Sequence, residues 1–230
     1  MKIGCAILAG GKSSRMGTDK ALLEYEGKQF IRQIAEELSW FDERIIARGS
    51  NGGFGDELER EWTVIPDIYP EHGPIGGLHA VLSACESDAL FVVTCDMPLI
   101  ESELVRELCE LMQREPKKQS GMVLDDRNST NMEISDIGIM GEKDFGEERV
   151  DAYDAVISVG EGGKIHPLCG VYRKSVLPVL EEQIVSDQNR VMAALKKLRV
   201  KYGTVDSPAR ARSWRILIRR RIMRSYIICM

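Results

Sequence analysis

The sequence predicts an α/β fold with a mostly parallel central sheet. Short apolar runs alternate with segments whose apolar residues recur at helical spacing, which is the βαβα order typical of such folds. The run at residues 89–94 is almost entirely apolar, as expected of a strand that is buried on both faces. With 230 residues, of which 43% are hydrophobic, the chain can bury a sizeable core.

The first half of the chain contains most of the predicted elements. The predicted strands are residues 2–8, 44–48, 63–66 and 89–94. The predicted helices are residues 29–40, 74–85 and 101–115, and Pro74 suits the first turn of the second helix. Because ligands of open α/β sheets bind beyond the carboxyl ends of the strands, the loops after these strands are expected to converge on one edge.

Residues 119–153 interrupt this alternation. They are rich in charge and glycine and have only a weak apolar pattern, which predicts an insertion or a long mobile loop. The elements predicted after this segment are strands at residues 154–159 and 164–173 and helices at residues 175–185 and 189–198. We therefore expect a single domain over residues 1–206.

Residues 207–230 form a basic amphipathic tail. They contain seven arginines and no acidic residue, so the other 206 residues carry −12, which is the total of −5 less the +7 of the tail. We expect a helix docked on the acidic body. Binding to anionic lipid or to a polyanionic partner, and an aberrant chain end, remain alternatives.

Cysteine usage and hydropathy predict a cytoplasmic protein. The six cysteines are scattered and include no CxxC pair, which favours free thiols over a disulfide framework or a zinc site. No stretch approaches eighteen apolar residues, so no membrane span is expected. Residues 1–8 read as a first strand rather than as a signal peptide.

A glycine-rich loop follows the first predicted strand, and residues 8–20 read LAGGKSSRMGTDK. Such a turn exposes main-chain N–H groups that suit phosphate oxygens, and Arg15 and Lys20 add two positive charges. Two cations fit a triphosphate whose leaving pyrophosphate accumulates charge in the transition state. The spacing matches neither a Walker A loop nor GxGxxG. The alternative is a simple glycine turn with solvated cations.

Two aspartates follow later strands of the predicted sheet. Asp67 lies in a proline-bounded turn, where it either serves turn chemistry or binds a ligand. The glycines of residues 73–77 follow it at a helix start and allow close approach. Asp96 lies just beyond the end of the apolar strand at residues 89–94, and a carboxylate there can hold Mg²⁺ against substrate phosphates. Its alternative role is to cap a helix or a turn.

The loop LAGGKSSRMGTDK and the sequence CDMP at residues 95–98 resemble the molybdenum cofactor guanylyltransferases, which are nucleotidyltransferases with a three-layer Rossmann-like fold. The resemblance implies that a guanine nucleotide is wrapped by Leu8, Ala9, Gly10 and Gly11. It also implies that Lys20 contacts the nucleotide phosphates and that Arg15 lies on the same side. Asp67 matches a nucleotide-binding aspartate of the family, and Asp96 matches one that binds Mg²⁺ and the nucleotide.

The resemblance further implies an activity. The protein would transfer GMP from GTP to the phosphate of molybdopterin, with or without bound molybdenum, and release pyrophosphate in a Mg²⁺-dependent reaction. Arg15, Lys20 and Asp96 would carry catalysis, and molybdoenzyme maturation proteins would be partners, whereas no nucleic acid is expected. The alternatives are cytidylyl transfer to the pterin, nucleotidyl transfer to a sugar phosphate, and a nucleotide-binding partner protein without turnover.

The second half matches the family less closely. HPLCGVY at residues 166–172 resembles a family stretch on the pterin side, where Lys164 and Arg173 either meet the pterin phosphate or are surface cations. We expect His166 to be a structural histidine in a turn before Pro167. The family asparagine after the second strand is absent, with Asn51 nearby, and Asp206 replaces an asparagine of the late family turn.

Overall fold

A computed structural model of the protein describes residues 1–10, 20–48, 53–114, 152–160 and 163–204. The strands are β1 (Ile3–Leu8), β2 (Glu24–Tyr25), β3 (Lys28–Gln29), β4 (Arg44–Arg48), β5 (Thr63–Pro66), β6 (Ala89–Thr94), β7 (Ala155–Val159), β8 (Ile165–Arg173) and β9 (Val200–Thr204). The helices are α1 (Phe30–Glu37), α2 (Asp56–Glu61), α3 (Pro74–Ala84), α4 (Ser102–Gln113), α5 (Leu177–Val185) and α6 (Val191–Leu195).

Seven of these strands form one sheet in the order β5-β4-β1-β6-β8-β7-β9, and β2 and β3 form a separate hairpin. Six strands of the large sheet run parallel, and β8 is antiparallel to both of its neighbours. The chain moves outward from β1 to β4 and β5 and then returns to β6 on the other side of β1. This reversal of strand order between β1 and β6 is the place where open α/β sheets bind ligands.

Helices cover both faces of the sheet. Helices α1, α2 and α4 pack on one face, and α3, α5 and α6 pack on the other. Each face has its own apolar core, because successive side chains of a strand point to opposite faces. In β1, Cys5 and Ile7 belong to the core under α1, α2 and α4, whereas Ala6 and Leu8 belong to the core under α3, α5 and α6. The predicted mostly parallel α/β fold with three layers is confirmed.

All of the predicted strands and helices are present, with ends that differ by at most a few residues. Three elements were missed, namely the β2–β3 hairpin, helix α2 and strand β9. Cys5, Cys85, Cys95, Cys109 and Cys169 are buried free thiols, as expected. Among the residues that the structure describes, no helix combines the length and the apolar character that a bilayer crossing requires.

Most of the predicted insertion at residues 119–153 and all of the tail at residues 207–230 lie outside the described residues. The division of the chain into a domain over residues 1–206 and a tail therefore stays a prediction. The same holds for the docking of the tail on the acidic body.

Candidate active site

Hydrogen bonds continue between four neighbouring strands, β5, β4, β1 and β6, just beyond the carboxyl edge of the sheet. The Cys95 N–H donates to the Leu8 carbonyl oxygen at 3.2 Å, and the Ala9 N–H donates to Ala47 at 2.9 Å. The Asp67 N–H donates to the carbonyl oxygen of Arg48 at 3.2 Å. The glycine turn and the turns that carry Asp67 and Asp96 therefore begin in one continuous row. The sequence correctly predicts that these loops meet at one edge.

Asp96 is held in place by its own strand. The Thr94 hydroxyl donates to Oδ1 of Asp96, and the Met97 N–H donates to the Thr94 carbonyl oxygen at 3.2 Å, which closes a tight turn. Cys95 and Met97 are buried on either side, whereas Asp96 is only partly buried. The turn thus anchors the chain in the core and leaves a carboxylate at the edge.

Asp67 lies over the start of α3. Its Oδ1 accepts a hydrogen bond of 2.9 Å from the Tyr69 N–H. Burial raises the pKa of Asp67, and the hydrogen bond from Tyr69 together with the nearby His72 and His79 only partly opposes this rise. The structure thus confirms the turn hydrogen bond of this aspartate and places it at the edge where the glycine turn begins, whereas its predicted contact with a nucleotide stays a prediction.

The glycines at the start of α3 have different structural roles. Gly73 has a φ of +59°, a backbone conformation that favours glycine. A Cβ at Gly76 would lie 2.3 Å from the Tyr69 carbonyl oxygen, so this glycine makes room for the chain's own turn. A Cβ at Gly77 would meet only Leu8 and Asp67, at 3.6 Å or more. At Gly76 the space is therefore filled by the chain's own turn, and the close approach of a ligand that was expected of this segment stays a prediction.

Leu8 and Ala9 are buried at 5% exposure, and their side chains belong to the two cores, whereas Gly10 is exposed. Any contact of Leu8 and Ala9 with a nucleotide would therefore be made mainly by the main chain around Gly10. Gly11 and Arg15 lie outside the described residues, as does the side chain of Lys20, whose main chain begins a short 3-10 helix. Their predicted roles stay predictions.

Strand β8 begins at the edge of the sheet that carries Asp96, because β8 runs antiparallel to β6. Burial and the charge of Lys164 lower the pKa of His166 to about 4, and the Asp96 carboxylate opposes this shift. His166 is 8% exposed and lies within β8, so the expected turn location was wrong, because the chain has already entered the sheet at Ile165. The placement of His166 towards this edge of the sheet was missed, since only the antiparallel direction of β8 creates it.

Lys164 and Arg173 stand at opposite ends of β8. Lys164 is exposed at the carboxyl edge of the parallel strands. Arg173 pairs with Ala89 at the beginning of β6, and its Nε donates to the Tyr153 carbonyl oxygen at 2.7 Å. The structure thus brings only Lys164 to the edge that carries Asp96. Asn51 and Asp206, where the sequence departs from the family pattern, lie outside the described residues.

The donor set suits a metal that is shared with a substrate. Among the described residues, no group of three or more His, Cys, Asp or Glu side chains could hold a metal ion. Mg²⁺ is commonly bound through one or two carboxylates together with waters and substrate phosphates. The carboxylate of Asp96 fits that pattern, and Asp67 supplies a second acidic group at the same edge.

Solved structures with this architecture show which fold the protein has. Molybdopterin-guanine dinucleotide biosynthesis protein A from Archaeoglobus fulgidus matches with a TM-score of 0.65 and 21% identity, over 100% of this chain and 98% of that one. The 2-C-methyl-D-erythritol 4-phosphate cytidylyltransferase from Thermus thermophilus matches with a TM-score of 0.59 and 12% identity, over 100% and 99%. The fold is that of the Rossmann-like nucleotidyltransferases.

Sequence comparison then gives the family. The model of the MobA-like NTP transferase domain matches residues 5–202, so the chain belongs to that family and is a nucleotidyltransferase. A relative from Clostridium perfringens, described as a probable molybdenum cofactor guanylyltransferase, is 30% identical over 202 residues. That match covers 87% of this chain and 81% of the relative. The family resemblance that the glycine loop and CDMP indicated is confirmed.

Proposed function

We propose that the protein transfers GMP from GTP to the phosphate of molybdopterin, or of its molybdenum-loaded form, and releases pyrophosphate with the help of Mg²⁺. The observation that supports this most is the row of hydrogen-bonded strand ends in which the glycine turn begins next to the turn that carries Asp96. Such an arrangement suits a triphosphate that lies on main-chain N–H groups with a carboxylate near its reacting phosphate. The choice of guanine and of the pterin rests on the description of the Clostridium relative.

In this proposal the protein acts by positioning and by charge neutralisation. An oxygen of the pterin phosphate is already ionised, so it attacks the α-phosphorus of GTP without a protein base. A new phosphorus–oxygen bond forms as the bond to pyrophosphate breaks, and Arg15 and Lys20 balance the charge on the leaving group. Asp96, held by Thr94, would bind Mg²⁺, which when bound polarises the phosphate oxygens.

The layout of the sheet supports separate places for the two proposed substrates. Asp67 and the glycine turn lie on one side of Asp96, and Lys164 lies on the other side, at the start of β8. Attack on phosphorus requires the entering and leaving oxygens to be roughly in line, so the acceptor and the pyrophosphate occupy opposite sides of the α-phosphate. We therefore assign Lys164 to the acceptor phosphate and exclude Arg173 from it.

A nucleotide panel tests the proposal. The purified full chain would be given molybdopterin, Mg²⁺ and one nucleoside triphosphate at a time, and pyrophosphate release would be measured together with nucleotide incorporated into the pterin. We expect turnover with GTP above that with CTP, ATP or UTP. Preference for CTP would make the protein a cytidylyltransferase, and turnover only with a sugar phosphate would change the acceptor. Tight GTP binding without pyrophosphate release would favour a non-catalytic partner protein.

A further inference from the structure

A chain of hydrogen bonds leads from Asp67 to the turn between α5 and α6. Oδ1 of Asp67 accepts from the Tyr69 N–H at 2.9 Å, and the Tyr69 carbonyl oxygen accepts from the His72 N–H at 3.0 Å. We call residues 67–72 the Asp67 turn. Nδ1 of His72 in turn lies 2.6 Å from Oδ1 of Asn189, which is 117 residues further along the chain. The second half of the chain thus contacts the turn that carries Asp67.

The carboxylate of Asp187 orients the side-chain amide of Asn189. Nδ2 of Asn189 lies 3.2 Å from Oδ1 of Asp187. An ionised carboxylate only accepts hydrogen bonds, so the amide nitrogen faces Asp187 and the amide oxygen faces His72. Nδ1 of His72 therefore carries a proton and donates it to the hydrogen bond with Asn189. Asp187 thus determines the direction of the hydrogen bond that reaches the Asp67 turn.

Asp187 occupies a position that favours glycine. It follows the end of α5 and has a φ of +55°. The Asp187 N–H donates to the Ile184 carbonyl oxygen at 3.0 Å, and the Gln188 N–H donates to that of Gln183 at 2.9 Å, which is the Schellman motif that ends many helices. The residue with positive φ in that motif is usually glycine. The Asp187 side chain is 86% exposed, so burial does not explain it, whereas its carboxylate supplies an acceptor that glycine lacks.

We propose that the hydrogen bond between His72 and Asn189, oriented by Asp187, holds the Asp67 turn in the shape that binds the nucleotide. These three residues are then positioning residues that act through Asp67. The effect on the nucleotide rests on the proposed function, whereas the effect on the shape of the Asp67 turn does not. The test therefore needs one measurement on the free protein and one with the nucleotide.

The ¹H–¹⁵N resonances of the free protein measure the hold on the turn. In mildly alkaline buffer, where imidazole rings are neutral, we expect His72 to carry its proton on Nδ1. Asn189→Ala should move this proton toward Nε2 and shift the amide resonance of Tyr69. Gln188→Ala, which shortens the neighbouring exposed side chain, is the matched control and should change neither. A Tyr69 amide that is unchanged by Asn189→Ala would show that the contact with α3 at Gly76 is sufficient to hold the turn, which would overturn the proposal.

Calorimetry with GTP measures the action through Asp67. Asn189→Ala and His72→Ala should each weaken GTP binding by about two- to tenfold, the usual worth of one hydrogen bond. His72→Asn, which keeps a side-chain N–H donor, should recover part of the loss. The double variant should bind GTP about as weakly as either single variant, because both substitutions break the same bond. KM for GTP should rise by a similar factor with little change in kcat. Additive losses in affinity would show that the two residues act separately, against the proposal.

Asp187→Gly separates positioning from stability. Glycine suits the positive φ of this residue, so the midpoint of urea unfolding should stay the same or rise. GTP binding should nevertheless weaken, because the Asn189 amide loses the carboxylate that orients it. Unchanged affinity, or affinity and stability that fall together, would contradict the proposal. If the wild type binds no GTP, the proposed function fails, and the resonances of His72 and Tyr69 alone still decide whether the hydrogen bond holds the Asp67 turn.

Discussion

The main-chain N–H of Cys95 donates to the carbonyl oxygen of Leu8, with 3.2 Å between the two atoms. This bond lies one residue before Asp96 and two residues before Gly10, so the acidic turn and the glycine turn leave the sheet as neighbours. A ligand whose phosphates lie on the glycine turn would have the Asp96 carboxylate beside it. We therefore expect both loops to act on the same ligand, which is the basis of the first two predictions.

Asp96→Asn should nearly abolish turnover while the fold is kept. The substitution preserves the size and the acceptor oxygen that Thr94 contacts, but it removes the charge that would hold Mg²⁺. Loss of such a group costs several kcal/mol of transition-state stabilisation, so kcat should fall by roughly a hundredfold or more. Pyrophosphate release gives the rate, and circular dichroism is the control for folding. Near-normal activity at ordinary Mg²⁺ would remove Asp96 from the site.

Lys20→Ala should weaken GTP binding more than GMP binding. Lys20 begins the 3-10 helix that follows the glycine loop, where the β- and γ-phosphates are expected to lie. A hydrogen bond to a charged group is worth about 1.5–3 kcal/mol, which is about a ten- to hundredfold change in affinity. GMP lacks both phosphates and should be bound almost as before. Calorimetry with each ligand measures this, and equal weakening would place Lys20 elsewhere.

Lys164→Gln should raise KM for the pterin several-fold and leave KM for GTP nearly unchanged. Lys164 is exposed just before the start of β8, at the edge of the sheet that carries Asp96. Arg173→Gln is the matched control, because it removes one charge from the other end of the same strand and keeps an N–H donor for the Tyr153 carbonyl oxygen. Steady-state kinetics with each substrate varied in turn would show this difference. Similar KM values for both variants would make Lys164 a simple surface cation.

Gly76→Ala and Gly77→Ala should differ although the residues are adjacent in α3. Alanine favours a helix over glycine by about 1 kcal/mol. At Gly76 the new methyl group would lie 2.3 Å from the Tyr69 carbonyl oxygen and 3.0 Å from Oδ1 of Asp67, so the turn must move. At Gly77 the methyl group would make only ordinary contacts with Leu8 and Asp67.

Urea unfolding should therefore show Gly76→Ala to be less stable than the wild type by about 1–3 kcal/mol, the usual cost of overpacking. Gly77→Ala should be neutral or slightly stabilised. GTP affinity should fall with Gly76→Ala because the Asp67 turn moves. If Gly76→Ala unfolds like the wild type, the close approach of α3 to residues 67–69 is wrong.

Glu43→Gln should destabilise the protein at neutral pH and much less in acid. The Glu43 carboxylate accepts hydrogen bonds from the N–H groups of Glu86 at 2.6 Å and Ser87 at 2.9 Å. Burial raises the pKa of Glu43, but the hydrogen bonds from Ser87 and Glu86 outweigh burial, so the pKa is lowered overall. A lowered pKa in the folded state gives stability above the ordinary pKa that is lost as the pH falls through the lowered value.

The free energy of unfolding, measured by urea at about pH 7 and about pH 3, tests this pH dependence on either side of the ordinary glutamate pKa. We expect a difference between wild type and variant of about 1 kcal/mol at the higher pH, since Glu43 is only partly buried, and a smaller one at the lower pH. Glu86→Gln, on an exposed neighbour, should show no such difference. A constant difference across the pH range would contradict the lowered pKa.

Local patterns of apolar residues were sufficient to predict the helices and strands that have a buried face. The apolar run of β6 and the spacing in α1 and α3 predicted strand and helices because burial dictates those residues. Helix α2 was missed because five of its six residues are charged and only Leu58 is buried. The β2–β3 hairpin was missed because each strand has two residues, although the positive φ of Glu26 and Gly27 marks the tight turn between them.

The candidate site was predictable where it follows parallel strands. The edge of the sheet at which Asp67 and Asp96 lie could be predicted, because each residue follows the end of a strand and the carboxyl ends of parallel strands share one edge. The position of His166 could not, because nothing in the local sequence shows that β8 runs against its neighbours or that three of its residues bulge out of register with β7. Pairing between distant strands determines both, and it is invisible in any single window of sequence.

The antiparallel strand β8 also constrains the order in which the chain can assemble. β8 follows β7 in the sequence but lies between β6 and β7 in the sheet. During synthesis, one edge of the apolar strand β6 therefore stays without its final neighbour until residues 165–173 emerge, which takes several seconds at ~5–20 residues per second. The nascent protein thus presents an open apolar strand edge for that time, and residues 95–164 are the interval in which a chaperone would have most to protect.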